Sequence, residues 1–125
     1  DNGVVKDRRI QKGNMLLPTI TAAETNYIAF GIPSIDYHTE LYGYLQYKSN
    51  TINSISDCDS HIKNSPQYNQ AIHYKLYTVQ RNGRALNYET LPTYIRNCID
   101  HPDAQHRYSD NEMETSIKLL MELCK

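Results

Sequence analysis

The chain has 125 residues, a length typical of one domain with one hydrophobic core. Its formal net charge is −1 and no run of Lys and Arg exceeds two residues, so the basic stripe that nucleic-acid binding requires is missing. No apolar stretch approaches the roughly 18 to 20 residues that cross a bilayer, so no membrane span is predicted.

The N-terminal residues are charged and define no apolar face. We therefore expect residues 1–18 to form a flexible or irregular arm that precedes a single helical domain over residues 19–125. The first residue is Asp1 rather than Met, which suits a chain that was trimmed during export.

Apolar residues then recur at helical spacing, which predicts a helix between residues 19 and 47. The stripe consists of Ile20, Ala23, Tyr27, Phe30, Ile35, Tyr42 and Leu45. Pro33 has no backbone donor and clashes with the preceding turn, so we expect a break or kink at Gly31-Ile32-Pro33.

Residues 48–65 are polar and rich in Asn and Ser, and they predict a long ordered loop that contains Cys58. Ser65-Pro66 then resembles the capped start of a helix that ends at Gly83. Its predicted buried stripe is Tyr68, Ile72, Leu76 and Val79.

Two further helices are predicted in the C-terminal third. Thr90 can cap the first of them, with Pro92 in its first turn. Ser109 and Glu112 form a capping-box pattern that opens the last helix, whose apolar stripe runs from Met113 to Cys124. Only residues 76–79 resemble a strand, so the pattern predicts an all-α fold, a small bundle of four to five helices.

The three cysteines, Cys58, Cys98 and Cys124, lack the paired spacing of a zinc site, so neither a metal nor a cofactor is expected. If the last two helices are antiparallel, Cys98 and Cys124 lie about 20 Å apart, too far for a bridge. The loop around Cys58 could reach Cys124. We therefore predict a Cys58–Cys124 disulfide, which implies an oxidising compartment, with Cys98 buried.

No histidine lies in a motif with a known catalytic mechanism. Asp36, His38 and Glu40 are spaced two apart and face different sides of a helix. Cys58 and His61 could form a thiol–imidazole pair, although such neighbours are common by chance. We expect no catalysis, and a small enzyme that uses Cys58 and His61 is the less favoured alternative.

Tyrosine dominates the aromatic residues, with eleven Tyr against one Phe and no Trp. Tyr is typical of half-buried positions and of protein interfaces. We predict a partner-binding surface on the 48–65 loop and on the tyrosines that precede it. Its residues are Tyr42, Tyr44, Tyr47, Asp57 and Asp59.

The C-terminal segment resembles a known family. Cys98-Ile99-Asp100-His101-Pro102-Asp103, followed by an apolar helix that ends at Cys124, is similar to the Rap/Tai-type immunity proteins, and Tyr27-Ile28-Ala29-Phe30-Gly31-Ile32 is similar to their first helix. These small exported helical proteins protect bacteria from amidase effectors of type VI secretion. The resemblance implies a periplasmic or secreted inhibitor that blocks the cleft of a cell-wall amidase, as a homodimer. The alternative is a secreted or surface helical protein that binds another protein, such as a host protein.

Overall fold

A computed structural model describes residues 15–125, so most of the predicted N-terminal arm lies outside the described residues. The described part contains six helices and one antiparallel two-stranded sheet. In chain order these elements are α1 (Ala22–Phe30), α2 (Ile35–Lys48), α3 (Ile55–Lys63), α4 (Gln70–His73), β1 (Tyr74–Arg81), β2 (Arg84–Thr90), α5 (Leu91–Asp100) and α6 (Asp110–Cys124). The fold is therefore mixed α/β, and the all-α prediction is wrong.

The error lies in the segment before Gly83, where the sequence pattern predicted a helix and the structure has a β-hairpin. Asn82 and Gly83 have φ values of 53° and 76°, the left-handed conformation that a two-residue hairpin turn of the type I′ class requires. On one face of the hairpin, Tyr77 pairs with Tyr88 and both are buried. Gly83 thus reverses the chain between two strands instead of ending a helix.

The predicted loop over residues 48–65 is also wrong, because half of it is helix α3. Ser54 caps this helix by accepting a hydrogen bond from the N–H of Asp57 (3.0 Å). Cys58, Asp59 and Ile62 are buried, and the other polar residues of the helix face outward. Ser65 does not begin a helix, since its hydroxyl donates to the carbonyl of Ile62 at the end of α3 (2.7 Å).

The predicted break at residues 31–33 is confirmed. Gly31 adopts the left-handed conformation (φ 68°), and its N–H donates to the carbonyl of Tyr27 (2.8 Å), which ends α1. Ser34 then caps α2 by accepting from the N–H of Tyr37 (3.0 Å). The chain therefore changes direction between two separate helices.

The buried face of α1 differs from the predicted stripe. Its only fully buried residue is Glu24, which accepts hydrogen bonds from the N–H groups of Leu16 (2.9 Å) and Leu17 (3.3 Å) and from the Tyr37 hydroxyl (3.1 Å). The members of the predicted stripe that are exposed instead are Ile20, Phe30 and Ile35. Glu24 therefore fixes α1 to the domain through hydrogen bonds, while Ala23 and Tyr27 of the predicted stripe are partly buried against the core.

The last two helices are confirmed. Pro92 lies in the first turn of α5, which ends at Asp100. The capping box of α6 is complete, since the N–H of Glu112 donates to the Ser109 hydroxyl (3.1 Å) and the N–H of Ser109 donates to a Glu112 carboxylate oxygen (2.9 Å). The predicted apolar stripe of α6 is buried.

Helices α2 and α6 pack against each other, and α5 and the hairpin cover the other side of the core. Leu120 on α6 is fully buried. We expect Leu120→Ala to lower the free energy of unfolding by about 2–4 kcal/mol, because it removes apolar contacts and leaves a cavity. Urea unfolding followed by circular dichroism measures this, with the exposed Leu76→Ala as the matched control. A loss below about 0.5 kcal/mol for Leu120→Ala would contradict this packing.

Candidate functional site

Two of the five predicted partner-binding residues lie in the core. Tyr42 is 2% exposed, and its hydroxyl forms a hydrogen bond with the Thr93 hydroxyl (2.9 Å). Asp59 is 6% exposed. Neither side chain has a surface to offer to a partner, which corrects their assignment as interface contacts.

Asp59 instead joins α3 to the junction between β2 and α5. One carboxylate oxygen accepts from the N–H of Glu89 (2.8 Å), and the other accepts from the N–H (3.1 Å) and the hydroxyl (2.6 Å) of Thr90. The Thr90 side chain forms no capping bond to α5. The carboxylate therefore satisfies backbone groups that would otherwise be buried without partners.

The predicted Cys58–Cys124 disulfide is not formed, since Cys58, Cys98 and Cys124 are all free and buried. Burial raises the pKa of the Cys58 thiol to about 11 and that of the Cys124 thiol to about 12. Cys58 lies on the buried face of helix α3, and the Cys124 thiol is within 3.5 Å of the Leu41 carbonyl. Without a disulfide, the cysteines give no support to the predicted export of the chain.

Cys58 and His61 do not face the same environment. The thiol is fully buried and its pKa is raised, whereas a nucleophilic cysteine needs a lowered pKa and access to substrate. The imidazole of His61 is exposed in a polar groove of about 550 Å³ between α3 and the end of α6. This arrangement counts against the Cys/His enzyme alternative.

Asp57 lines the same polar groove, which also contains Glu122 and Lys125. Its carboxylate accepts from the N–H of Asn53 (3.1 Å) at the start of α3. Within residues 15–125, no group of three or more His, Cys, Asp or Glu side chains is arranged to hold a metal ion. The groove therefore carries side chains of both charges, and the described residues place no metal-ligating cluster in it.

The two remaining predicted residues, Tyr44 and Tyr47, share an exposed surface. Tyr47 is 82% exposed, and Tyr44 is partly buried with the Lys48 ammonium 5.4 Å from its ring centroid. They line a shallow recess of about 300 Å³ on α2, which we call the Gly43 recess. Its lining residues are Leu17, Pro18, Thr19, Thr21, Glu40, Gly43, Tyr44 and Tyr47.

A second candidate surface is the tip of the hairpin, which the sequence reasoning missed. Residues 80–85 are all exposed, and Arg81 is the direct cross-strand partner of Arg84. Like charges at such a position destabilise a hairpin. Neither arginine forms an ion pair with an acidic residue of the described part of the chain. The signal that could have revealed this surface is Asn82-Gly83, the common hairpin-turn pair.

His38 is a buried titratable group on α2. One of its ring nitrogens, Nε2, is 2.7 Å from the Ser116 hydroxyl, and Nδ1 has no hydrogen-bond partner among the described residues. Burial lowers the pKa of His38 to about 3, so the imidazole is neutral at ordinary pH. Asp36 is exposed and Glu40 bonds to Thr21, so these three residues form no acid–base cluster.

Comparisons with known proteins find no matching family model, no matching curated protein and no matching solved structure. No helix in residues 15–125 is long and apolar enough to cross a membrane.

Proposed function

We propose that this protein is a non-catalytic binding protein that neutralises a secreted cell-wall amidase by placing the tip of its β-hairpin in the enzyme's cleft. The observation that carries the proposal is the hairpin itself, whose outer half is exposed while its base is fixed in the core. A segment that blocks a cleft binds best when it is ordered beforehand, because ordering it on contact costs affinity.

The base of the hairpin is held by aromatic packing. The Tyr77 ring lies 4.1 Å from the His106 ring in a stacked arrangement and 5.5 Å from the Tyr94 ring in an edge-to-face arrangement. Such pairs stabilise beyond the area they bury. Arg81 and Arg84 then extend from a rigid support, and their charge favours an acidic partner surface.

The choice of an amidase as the partner comes from the resemblance of residues 98–124 and 27–32 to the Rap/Tai-type immunity proteins. Such a protein acts in the periplasm or outside the cell, where the amidase meets its substrate. A homodimer follows from the same resemblance, and light scattering of the purified chain tests it separately.

We expect a gene for a secreted cell-wall amidase beside this protein's gene, and the direct test measures peptidoglycan cleavage by that amidase with increasing amounts of the purified chain. We expect stoichiometric inhibition, and we expect the Arg81→Ala/Arg84→Ala double variant to bind at least about tenfold more weakly without any loss of Tm, because the substitutions remove a like-charge pair. Lys118→Ala is the control, because it removes an exposed positive charge from α6.

Normal affinity of the double arginine variant would show that the hairpin is not the contact. The absence of a complex with the amidase would overturn the proposal. Capture of a host or other surface protein through the same hairpin would favour the alternative partner class.

A further inference from the structure

The Gly43 recess exists because α2 has a glycine in its exposed middle. The backbone of Gly43 is not in the left-handed region, and a Cβ atom placed there would meet no heavy atom within 4 Å. Glycine inside a helix is less stable than alanine. The fold therefore does not require glycine at this position, and the visible effect of the missing side chain is an open recess.

The walls of the recess combine apolar and aromatic surface. Tyr44 and Tyr47 lie on the helix side, and Leu17 and Pro18 lie on the side of the segment that precedes α1. Aromatic rings attract cations through their faces, and apolar walls suit the methylene stem of a long side chain. The Lys48 ammonium already forms such a contact, since it lies over the Tyr44 ring, 5.4 Å from its centroid.

Glu40 supplies a fixed carboxylate in the same recess. One of its oxygens accepts from the Thr21 hydroxyl (2.7 Å), and Thr21 is itself fixed as the cap of α1, where its side chain accepts from the N–H of Glu24 (3.1 Å). Within residues 15–125, Glu40 forms no ion pair, and its second oxygen forms no hydrogen bond. The carboxylate is thus positioned but not neutralised by the described part of the chain.

We propose that the Gly43 recess binds one basic side chain, a lysine or an arginine, of the partner protein. Its stem would lie over Gly43 between the tyrosines and residues 17–18, and its charged end would meet Glu40. The inference rests on the proposed function only in that the occupant belongs to a protein partner. It adds an acidic and aromatic contact on α2 to the basic contact at the hairpin tip.

The test uses the ¹⁵N-labelled full chain and three small probes, the N-acetyl N-methylamides of arginine, lysine and norleucine. We expect saturable shifts of the Gly43, Tyr44 and Tyr47 amide signals with the two basic probes and none with norleucine. Because no amidase is present, this result is independent of the inhibition experiment.

Variants distinguish the effect of the Glu40 charge from the effect of the open space over Gly43. Glu40→Gln keeps the acceptor for Thr21 but removes the charge, and we expect it to weaken binding of the basic probes about three- to fivefold. Gly43→Leu fills the recess and abolishes the shifts. Gly43→Ala raises Tm by about 2–4 °C while weakening binding, a combination that a purely structural glycine does not produce. Glu122→Gln removes an exposed carboxylate elsewhere and serves as the control.

Unchanged binding in Glu40→Gln, or equal shifts with norleucine, would overturn the proposal. A concentration-dependent dimer that Gly43→Leu abolishes would assign the recess to a second copy of this chain and would also overturn it.

Discussion

Asp59→Asn is expected to lower the free energy of unfolding by about 2–4 kcal/mol, although the substitution changes neither the size nor the shape of the side chain. The carboxylate accepts three hydrogen bonds, from the N–H of Glu89 and from the N–H and hydroxyl of Thr90. An amide has a single acceptor oxygen, so its NH₂ group would face at least one of these donors. The buried donor would lose its partner, and the junction between β2 and α5 would loosen.

Asp57→Asn is the matched control for this experiment. Asp57 lies on the same helix but is exposed, and it accepts one hydrogen bond, from the N–H of Asn53. We expect its loss to cost less than about 1 kcal/mol. Urea unfolding of both variants measures the difference. Equal, small losses would mean that water, rather than Asp59, satisfies the donors of Glu89 and Thr90.

The regions predicted correctly from sequence are those whose structure is set by nearby residues. The capping box of α6 joins Ser109 to Glu112 within one turn, and the stripe that follows has a single period. The break between α1 and α2 lies at Gly31, Pro33 and the Ser34 cap, which are neighbours in the sequence. In both places the local conformational preference and the tertiary packing agree, so the sequence pattern is sufficient to predict the structure.

The hairpin could not be assigned from spacing because its residues fit two periods. Tyr68, Ile72 and Leu76 recur every four residues, yet the structure leaves Ile72 and Leu76 exposed. The strand conformation is stabilised by the packing of Tyr77 against Tyr94 and His106, which lie later in the chain. Asn82-Gly83 was the one local signal for a turn, and it outweighs the helical spacing.

The predicted binding surface included two buried residues for a similar reason. Tyr42 follows Tyr37, Leu41 and His38 on the buried face of α2, and this spacing could have assigned it to the core. The burial of Asp59 depends on Thr90, 31 residues away, so no local pattern predicts it. Tyr47 is exposed and Tyr44 partly so, and the recess that they line with Gly43 and Glu40 is visible only in three dimensions.

Acidification from pH 6.5 to pH 5 is expected to remove about 1.5 kcal/mol of stability through His38 alone. Burial lowers the pKa of His38 from its ordinary value near 6.5 to about 3, with no charged neighbour that offsets the effect. Above about pH 7.5 both the folded and the unfolded forms are neutral at this site, so it adds no pH dependence there. Between pH 6.5 and 3 the unfolded chain binds a proton that the folded chain rejects, and stability falls as the pH falls.

The pH range from 6.5 to 5 isolates this effect from the carboxylates. The pKa values of Asp103 and Glu112 are lowered by hydrogen bonds and neighbouring cations, despite the opposing effect of burial, so these groups lose their contribution only at lower pH. His73, whose pKa is lowered by burial, acts in the same direction as His38. In the unmodified protein, the dependence of the unfolding free energy on pH therefore includes contributions from both histidines. A variant is needed to separate them.

His38→Gln is expected to reduce the slope of unfolding free energy against pH by about 1 kcal/mol per pH unit, because glutamine does not titrate and can still bond to the Ser116 hydroxyl. His61→Gln, at an exposed position on α3, should leave the slope unchanged. Urea unfolding at three pH values between 6.5 and 5 gives the slopes. In the unmodified protein, ¹⁵N shifts of the His38 ring should remain those of a neutral imidazole at pH 5, which tests the same group even if the variant does not fold. A protonated His38 ring at that pH, or an equal slope in His38→Gln, would show that water reaches this part of the core.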